Sequence, residues 1–270
     1  MVIGQEKICN SINSLTLDTF PRSLMLVGPR GGGKHLICNY IAEKFNLTQI
    51  DLTDTLDFDT IDELYNRVEP YLYLIRVNEI SVKEENTILK FLEEPMKNSF
   101  IILVAETSNG LLQTIINRCQ IWYLQNYKKE YLKTFLGDKS DFILSIAQTP
   151  GQVIEFSQYP LDGMIELADK ILNKIETAGL SNTLTLVSKI GFKNEKNTFD
   201  GKIFVDVLSS RIHDMCVVST DPRYTQAYIL TASLRADLMV KNYDHRLLFE
   251  KYLIQLRDIM KGTYCDASRS

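Results

Sequence analysis

Several features are scarce in this 270-residue chain, and each scarcity narrows what it can be. No apolar run approaches the roughly 20 residues of a membrane-spanning helix. The start, Met1-Val2-Ile3-Gly4-Gln5-Glu6, lacks the basic-then-apolar layout of a secretory signal. Its five cysteines (Cys9, Cys38, Cys119, Cys216, Cys265) are scattered, with no CxxC pair. That spacing argues against a structural zinc site or other metal centre, and for a reducing, cytoplasmic compartment. Basic excess is missing too: 30 Lys and Arg stand against 34 Asp and Glu, a net charge of −4. A domain that grips nucleic acid unaided is thereby excluded, so any DNA contact must be local or shared with other subunits. Neither an internal repeat nor a low-complexity tract is visible. What remains, 45% hydrophobic and 24% charged residues, is the composition of a globular protein with material for one to three domains.

The most informative stretch is Gly28-Pro29-Arg30-Gly31-Gly32-Gly33-Lys34-His35. It follows the apolar run Ser23–Val27 and precedes a helical pattern, Leu36 to Ala42. Strand, glycine-rich loop and helix are the order that a P-loop, G-x-x-x-x-G-K-[ST], requires. Glycines allow backbone N–H groups to turn toward a phosphate, the helix N-terminus adds partial positive charge, and Lys34 reaches the outer phosphates. The final position departs from the motif. His35 stands where a hydroxyl should ligate Mg²⁺, a hard cation that takes oxygen. The candidate nucleotide-binding residues are therefore Gly28, Gly31, Gly32, Gly33, Lys34 and His35, with a weak case for hydrolysis.

Alternating helix and strand patterns surround this loop. A helix is predicted over Gln5–Leu15 and another from the P-loop to about Phe45-Asn46, then a short strand at Ile50–Leu52 and a helix at Thr60–Tyr65. Unbroken apolar runs at Tyr71–Ile75 and Phe100–Ala105 read as strands buried on both faces of a parallel sheet. Ser81-Val82-Lys83-Glu84 is a capping box opening a helix that Glu94-Pro95 ends. A short helix at Leu111–Asn117 and a strand at Cys119–Leu124 complete the doubly wound α/β pattern. After about Tyr127 helical periodicity takes over, with helices predicted at 163–177 and 200–216. Another two carry Tyr228, Leu234 and Leu238, then Leu248, Tyr252, Leu256 and Ile259. The expected domains are an α/β P-loop core (1–126), a small helical lid (127–160) and an all-α collar (161–270).

A P-loop ATPase also needs acids at the tip of the neighbouring strand, to hold Mg²⁺ and orient water. After Tyr71–Ile75 come Arg76-Val77-Asn78-Glu79. Arg76 and Val77 occupy the two positions that should be acidic. Together with His35 they mark a retired hydrolytic site.

The run Asn86-Thr87-Ile88-Leu89-Lys90-Phe91-Leu92-Glu93-Glu94-Pro95 resembles the Asn-x-Leu-Leu-Lys-x-Leu-Glu-Glu-Pro helix of clamp-loader AAA+ subunits. Leu112 to Gln120, with Thr114-Ile115-Ile116-Asn117-Arg118-Cys119, is similar to their Thr-Ile-x-Ser-Arg-Cys phrase. Gly4-Gln5 matches the Gly-Gln ahead of their first helix. The resemblance covers residues 4–124 and is most similar to the non-hydrolysing delta-prime type. It implies an AAA+ P-loop domain followed by lid and collar domains, and a trans-acting arginine, here Arg118, offered to a neighbour's ATP. It also implies as partners other AAA+ clamp-loader subunits, a sliding clamp, and primer-template DNA through the assembly, with no membrane. No cofactor is required; ADP or ATP held without turnover is compatible with the surviving cradle. Three departures stand out. Asn117 replaces the serine, residues 46–70 bypass the usual zinc module, and the position of the lid arginine falls near Gly151-Gln152, with no such arginine there. The alternative is an active P-loop ATPase in helicase loading or DNA remodelling, with Glu79 or Glu93 replacing the missing acids. A protein-interaction module unconnected with clamps is a third reading.

Overall fold

A computed structural model describes residues 2–57, 64, 69–93, 99–108, 111–137, 140–177, 185, 190–192, 199–238 and 243–263. Strands β1 (Ser23–Val27), β2 (Thr48–Asp51), β3 (Tyr71–Arg76), β4 (Ser99–Ala105) and β5 (Gln120–Tyr123) form one sheet in the order β2-β3-β4-β1-β5. Every pairing is parallel. Because side chains alternate across a strand, both faces of the sheet must be covered. Leu24, Leu26, Ile102 and Val104 pack on α1 (Glu6–Ser14) and α2 (Lys34–Phe45), against Ile8, Ile12, Ile37 and Ile41. Met25, Val27, Ile101 and Leu103 face the other way, onto Ile88 and Phe91 of α3 (Val82–Glu93). This is the expected α/β core built on a parallel sheet. The strand order reverses beside β1, and the crevice at the carboxyl ends of such strands is where open α/β sheets bind ligands.

Local chemistry sets the helix ends. At the start of α3 the capping box forms in both directions: Ser81 N–H donates to Glu84 Oε2 (2.5 Å), and Glu84 N–H to Ser81 Oγ (3.4 Å). A short helix, α4 (Gln113–Ile116), precedes β5. The predicted Thr60–Tyr65 helix, apart from Leu64, and Glu94-Pro95 lie outside the described residues.

The chain divides by packing into two units, Met1–Ser140 with Ala147–Glu155, and Asp141–Ile146 with Phe156–Ser270. The stretch expected as a lid is shared between them. The first unit takes α5 (Lys129–Leu136) and most of α7 (Pro150–Phe156), and the second takes α6 (Ile143–Ile146).

In the second unit α8 (Leu161–Lys174) packs on α9 (Gly201–Val218), α9 on α10 (Pro222–Asp237), and α10 on α11 (His245–Met260). Asp200, Asp221 and Asp244 cap α9, α10 and α11 by accepting first-turn N–H bonds. The buried face of α9 holds Ile203, Phe204, Val207, Leu208 and Ile212, as its spacing predicts. The stripe of α10 is different from the expectation. Leu234 and Leu238 are buried as expected, but Tyr228 is 38% exposed, and Ala227 and Thr231 are buried instead. Thr231 tolerates burial because its hydroxyl donates to Ala227 O (2.7 Å) and lies 2.7 Å from the Tyr252 hydroxyl. A two-residue parallel pairing of Ile190-Gly191 with Phe199-Asp200, which no sequence pattern indicated, also lies in this unit. Among the described residues, no helix is long and apolar enough to cross a membrane.

Candidate functional site

The loop from β1 to α2 has P-loop geometry. Gly31 (φ +72°) and Gly33 (φ +92°) adopt left-handed backbone that side chains with a Cβ rarely enter. Lys34 begins α2 and is only 8% exposed. Its ammonium donates to Gly28 O (2.5 Å) and Pro29 O (2.9 Å). Burial lowers its pKa from the ordinary lysine value, opposed by the charge of Glu106.

The remaining carbonyls of the loop are also engaged. Arg30 O accepts from Thr149 Oγ1 (2.7 Å), Gly31 O from Gly151 N–H (3.2 Å), and Gly32 O from Tyr127 Oη–H (2.9 Å). Gly33 O accepts from Ile37 N–H (3.0 Å) inside α2. Gly151 has to be glycine, since a Cβ there would stand 2.5 Å from Gly31 Cα. Every carbonyl from Gly28 to Gly33 thus accepts a bond from its own chain. The Gly4-Gln5 pair fastens the same region: Gln5 Nε2 donates to Gln125 O (2.9 Å) and Gln125 N–H to Gln5 Oε1 (2.8 Å).

Beside the loop lies a cavity of about 410 Å³, lined by Arg30 to Leu36 and by Arg76, Asn78, Glu79 and Glu106. Exposed His35 is among these residues. At the tip of β3, Arg76 Nη1 donates to Asp51 Oδ2 (2.5 Å) and Nε to Glu79 Oε2 (2.8 Å), with Asp54 3.8 Å from Nη2. Its pKa is raised, first by the Glu79 bond, so it remains a cation throughout. Val77, the second position where an acid belongs, is 2% exposed and packed in the core beside α3. A guanidinium, a valine and an imidazole do not form a magnesium site.

Sequence reasoning proposed Glu79 and Glu93 as substitute acids, and the structure pairs each with an arginine, Arg76 and Arg118 respectively. The carboxylate it missed is Glu106, which lines the cavity and whose N–H donates to Asn78 Oδ1 (2.7 Å). Glu106 directly follows β4, and β4 pairs with β1. Asking which strand ends beside the P-loop strand would have found it. Thr149 and Tyr127 were missed because their contacts span more than ninety residues.

Arg118 is not in this cavity. The P-loop follows the carboxyl end of β1, whereas Arg118 precedes the amino end of β5, which pairs parallel with β1. The two therefore occupy opposite edges of the sheet. Arg118 Nη1 donates to Thr114 O (2.9 Å) and Nη2 to Glu93 Oε1 (2.5 Å). Neighbouring Asn117, where serine was expected, accepts from Gln113 Nε2 (2.9 Å) within the turn of α4. Burial pushes the Cys119 thiol up to about 12, so it is a packed side chain and not a nucleophile.

Residues 65–128 match the family described as DNA polymerase III, delta subunit. The chain is 29% identical over 108 residues to DNA polymerase III subunit delta' of Haemophilus influenzae, covering 38% of this chain and 33% of that one. Against subunit delta' of Bacillus subtilis it is 44% identical over 50 residues, 18% of this chain and 15% of the other. Over part of its length the chain is thus similar to DNA polymerase III subunits, delta' among them. A DNA polymerase III gamma subunit-related protein of Thermotoga maritima superposes with a TM-score of 0.48 at 16% identity, over 95% of this chain and 99% of the other. The chain spans a third or less of the length of the two delta' proteins. The segment matched to the family contains Arg76, Glu93, Glu106 and Arg118, and the P-loop lies before it.

Proposed function

We propose that the chain is a non-hydrolysing, delta-prime-like subunit of a clamp loader. It supplies Arg118 in trans to the ATP site of a neighbouring AAA+ subunit, in an assembly that places a sliding clamp on primer-template DNA in the cytoplasm. The observation that carries this reading is Arg76. At the position where an ATPase holds its metal, a cation is fixed by Asp51 and Glu79, and the adjoining acid position is core valine. Placing Mg²⁺ there would oppose two like charges in one pocket. The P-loop, stitched through its own carbonyls, serves as a structural turn. ADP or ATP could be held in it without turnover, once Lys34 exchanges the carbonyls of Gly28 and Pro29 for phosphate oxygens.

An arginine presented across an interface stabilises charge developing on the γ-phosphate. Arg118 suits that task because its side chain is 35% exposed and stands at the sheet edge away from its own P-loop. The test is steady-state ATP hydrolysis. The isolated chain should show none, and Arg118→Ala should abolish the DNA-stimulated activity of the assembled complex while assembly persists. Turnover by the isolated chain that Lys34→Ala removes would overturn this reading.

A second reading, an active P-loop ATPase, draws support from Glu106 alone, the carboxylate that faces Lys34 across the cavity. Glu106→Gln in the isolated chain separates the two: it has nothing to abolish if the first reading holds.

A further inference from the structure

We propose that Glu93 is a positioning residue for Arg118. It would hold the guanidinium in the pose in which it is offered to the partner's nucleotide. This inference rests on the trans-arginine reading and adds to it the group that orients the arginine. The two residues come from different elements. Glu93 is the last residue of α3, whose Ile88, Phe91 and Leu92 are buried in the core, while Asn86, Lys90 and Glu93 are exposed. Arg118 sits in the turn after the short α4. The sheet brings them together because α3 runs back from the carboxyl end of β3 to the amino end of β4, the same edge from which β5 departs.

Two anchors define the guanidinium plane. Thr114 O accepts from Nη1 at 2.9 Å, and Glu93 Oε1 accepts from Nη2 at 2.5 Å. An arginine has five N–H donors in a rigid fork, and two are used here. Nε and the other N–H of each terminal nitrogen remain for a phosphate. A flexible side chain fixed at two points loses little further freedom when it meets its target, which is how preorganisation favours a transition state. Glu93 can do this without trapping the arginine. Both side chains are substantially exposed, 35% and 51%, and exposed ion pairs contribute little net stability. A phosphate with several negative oxygens competes easily for the unused donors.

The test uses the complex purified with its partner AAA+ subunits, carrying wild-type chain, Glu93→Ala, Glu93→Gln, Arg118→Ala or the Ala–Ala double variant. DNA-stimulated ATP hydrolysis is measured over a range of ATP, with assembly followed by native mass spectrometry. Glu93→Ala should lower kcat roughly ten-fold at unchanged KM, the scale expected when a catalytic group is mispositioned. Glu93→Gln, which keeps an oxygen acceptor for Nη2, should stay within about two-fold of wild type. The double variant should be no slower than Arg118→Ala alone, because Glu93 acts only through that arginine. Unchanged kcat in Glu93→Ala overturns the proposal, and so does a raised kcat, which would make the pair an inhibitory latch. Additive loss in the double variant overturns it too. If Arg118→Ala keeps full activity, the trans-arginine reading itself fails, and that outcome is distinguishable from all the others.

Discussion

At the carboxyl end of β1, Lys34 is almost wholly buried and gives its donors to Gly28 and Pro29. At the amino end of β5, Arg118 keeps much of its side chain in solvent and uses two of its five N–H groups. The first corner is satisfied from within: its loop carbonyls, its lysine and Arg76 all have partners in the same chain. The second presents unused donors outward. Under the proposed reading, a P-loop persists for its backbone geometry after its chemistry has gone, because strand, turn and helix still need connecting and their polar groups still need partners. Surface charge with spare donors has no such internal reason to persist.

The sharpest way to break this contrast is to exchange its terms. Arg118→Ala should reduce DNA-stimulated ATP hydrolysis by the assembled complex by about 10³-fold or more, the usual effect of losing an arginine finger. Lys34→Ala should leave that same activity within about two-fold, since the lysine's partners are carbonyls of its own loop; the lost donor to Gly28 O and Pro29 O costs about 1–3 kcal/mol of stability instead. Equal losses from both would mean that the P-loop corner is still chemically employed.

A second pair of changes probes the stitching. Gly151→Val would drive side-chain atoms into the Gly31 backbone, where even a Cβ would stand 2.5 Å from Cα and 3.0 Å from O. The expected destabilisation is about 1–3 kcal/mol, as for other overpacked sites, read as a lower thermal midpoint with reduced hydrogen-exchange protection of the P-loop. Thr149→Val removes two bonds, the one to Arg30 O and the one from Gln152 N–H, and should cost about 1–3 kcal/mol by the same measurements.

The smallest effect concerns the thiols. Burial pushes Cys38 and Cys119 up to about 12, so at pH 8 both are protonated and poor nucleophiles. Iodoacetamide at pH 8 should leave both unmodified in the native chain over a period that fully labels them after unfolding. Rapid labelling of Cys119 would show that the Arg118 turn opens readily.

Much of the fold was legible beforehand, for reasons that particular residues make plain. Strands β3 and β4 are continuous apolar runs because both of their faces are covered, and that pattern survives in one dimension. The capping box at Ser81–Glu84 acts within a turn, so spacing alone reveals it. Tyr228 misled because a tyrosine at helical spacing looks like core, while the buried stripe one position away is filled by Ala227 and a threonine that needed Tyr252 as a partner. That partner is twenty-one residues distant and on another helix. The 127–160 stretch, expected as a lid, is divided between the two units for a similar reason. Thr149 and Gly151 bond to a loop over a hundred residues earlier, and this draws part of the stretch into the first unit.

For the candidate site, local sequence determined the identities: a glycine loop with Lys34, a histidine in place of a hydroxyl, Arg76 and Val77 in place of acids, and an arginine ahead of the last strand. These follow from motif and spacing because each element is built from neighbouring residues. Only the tertiary structure decided what those residues face. It turned Val77 into the core, spent Glu79 on Arg76, brought Glu106 to the lysine, and set Glu93 against Arg118. Such pairings depend on the parallel order of the strands and the length of α3, which bring together side chains that no local pattern relates.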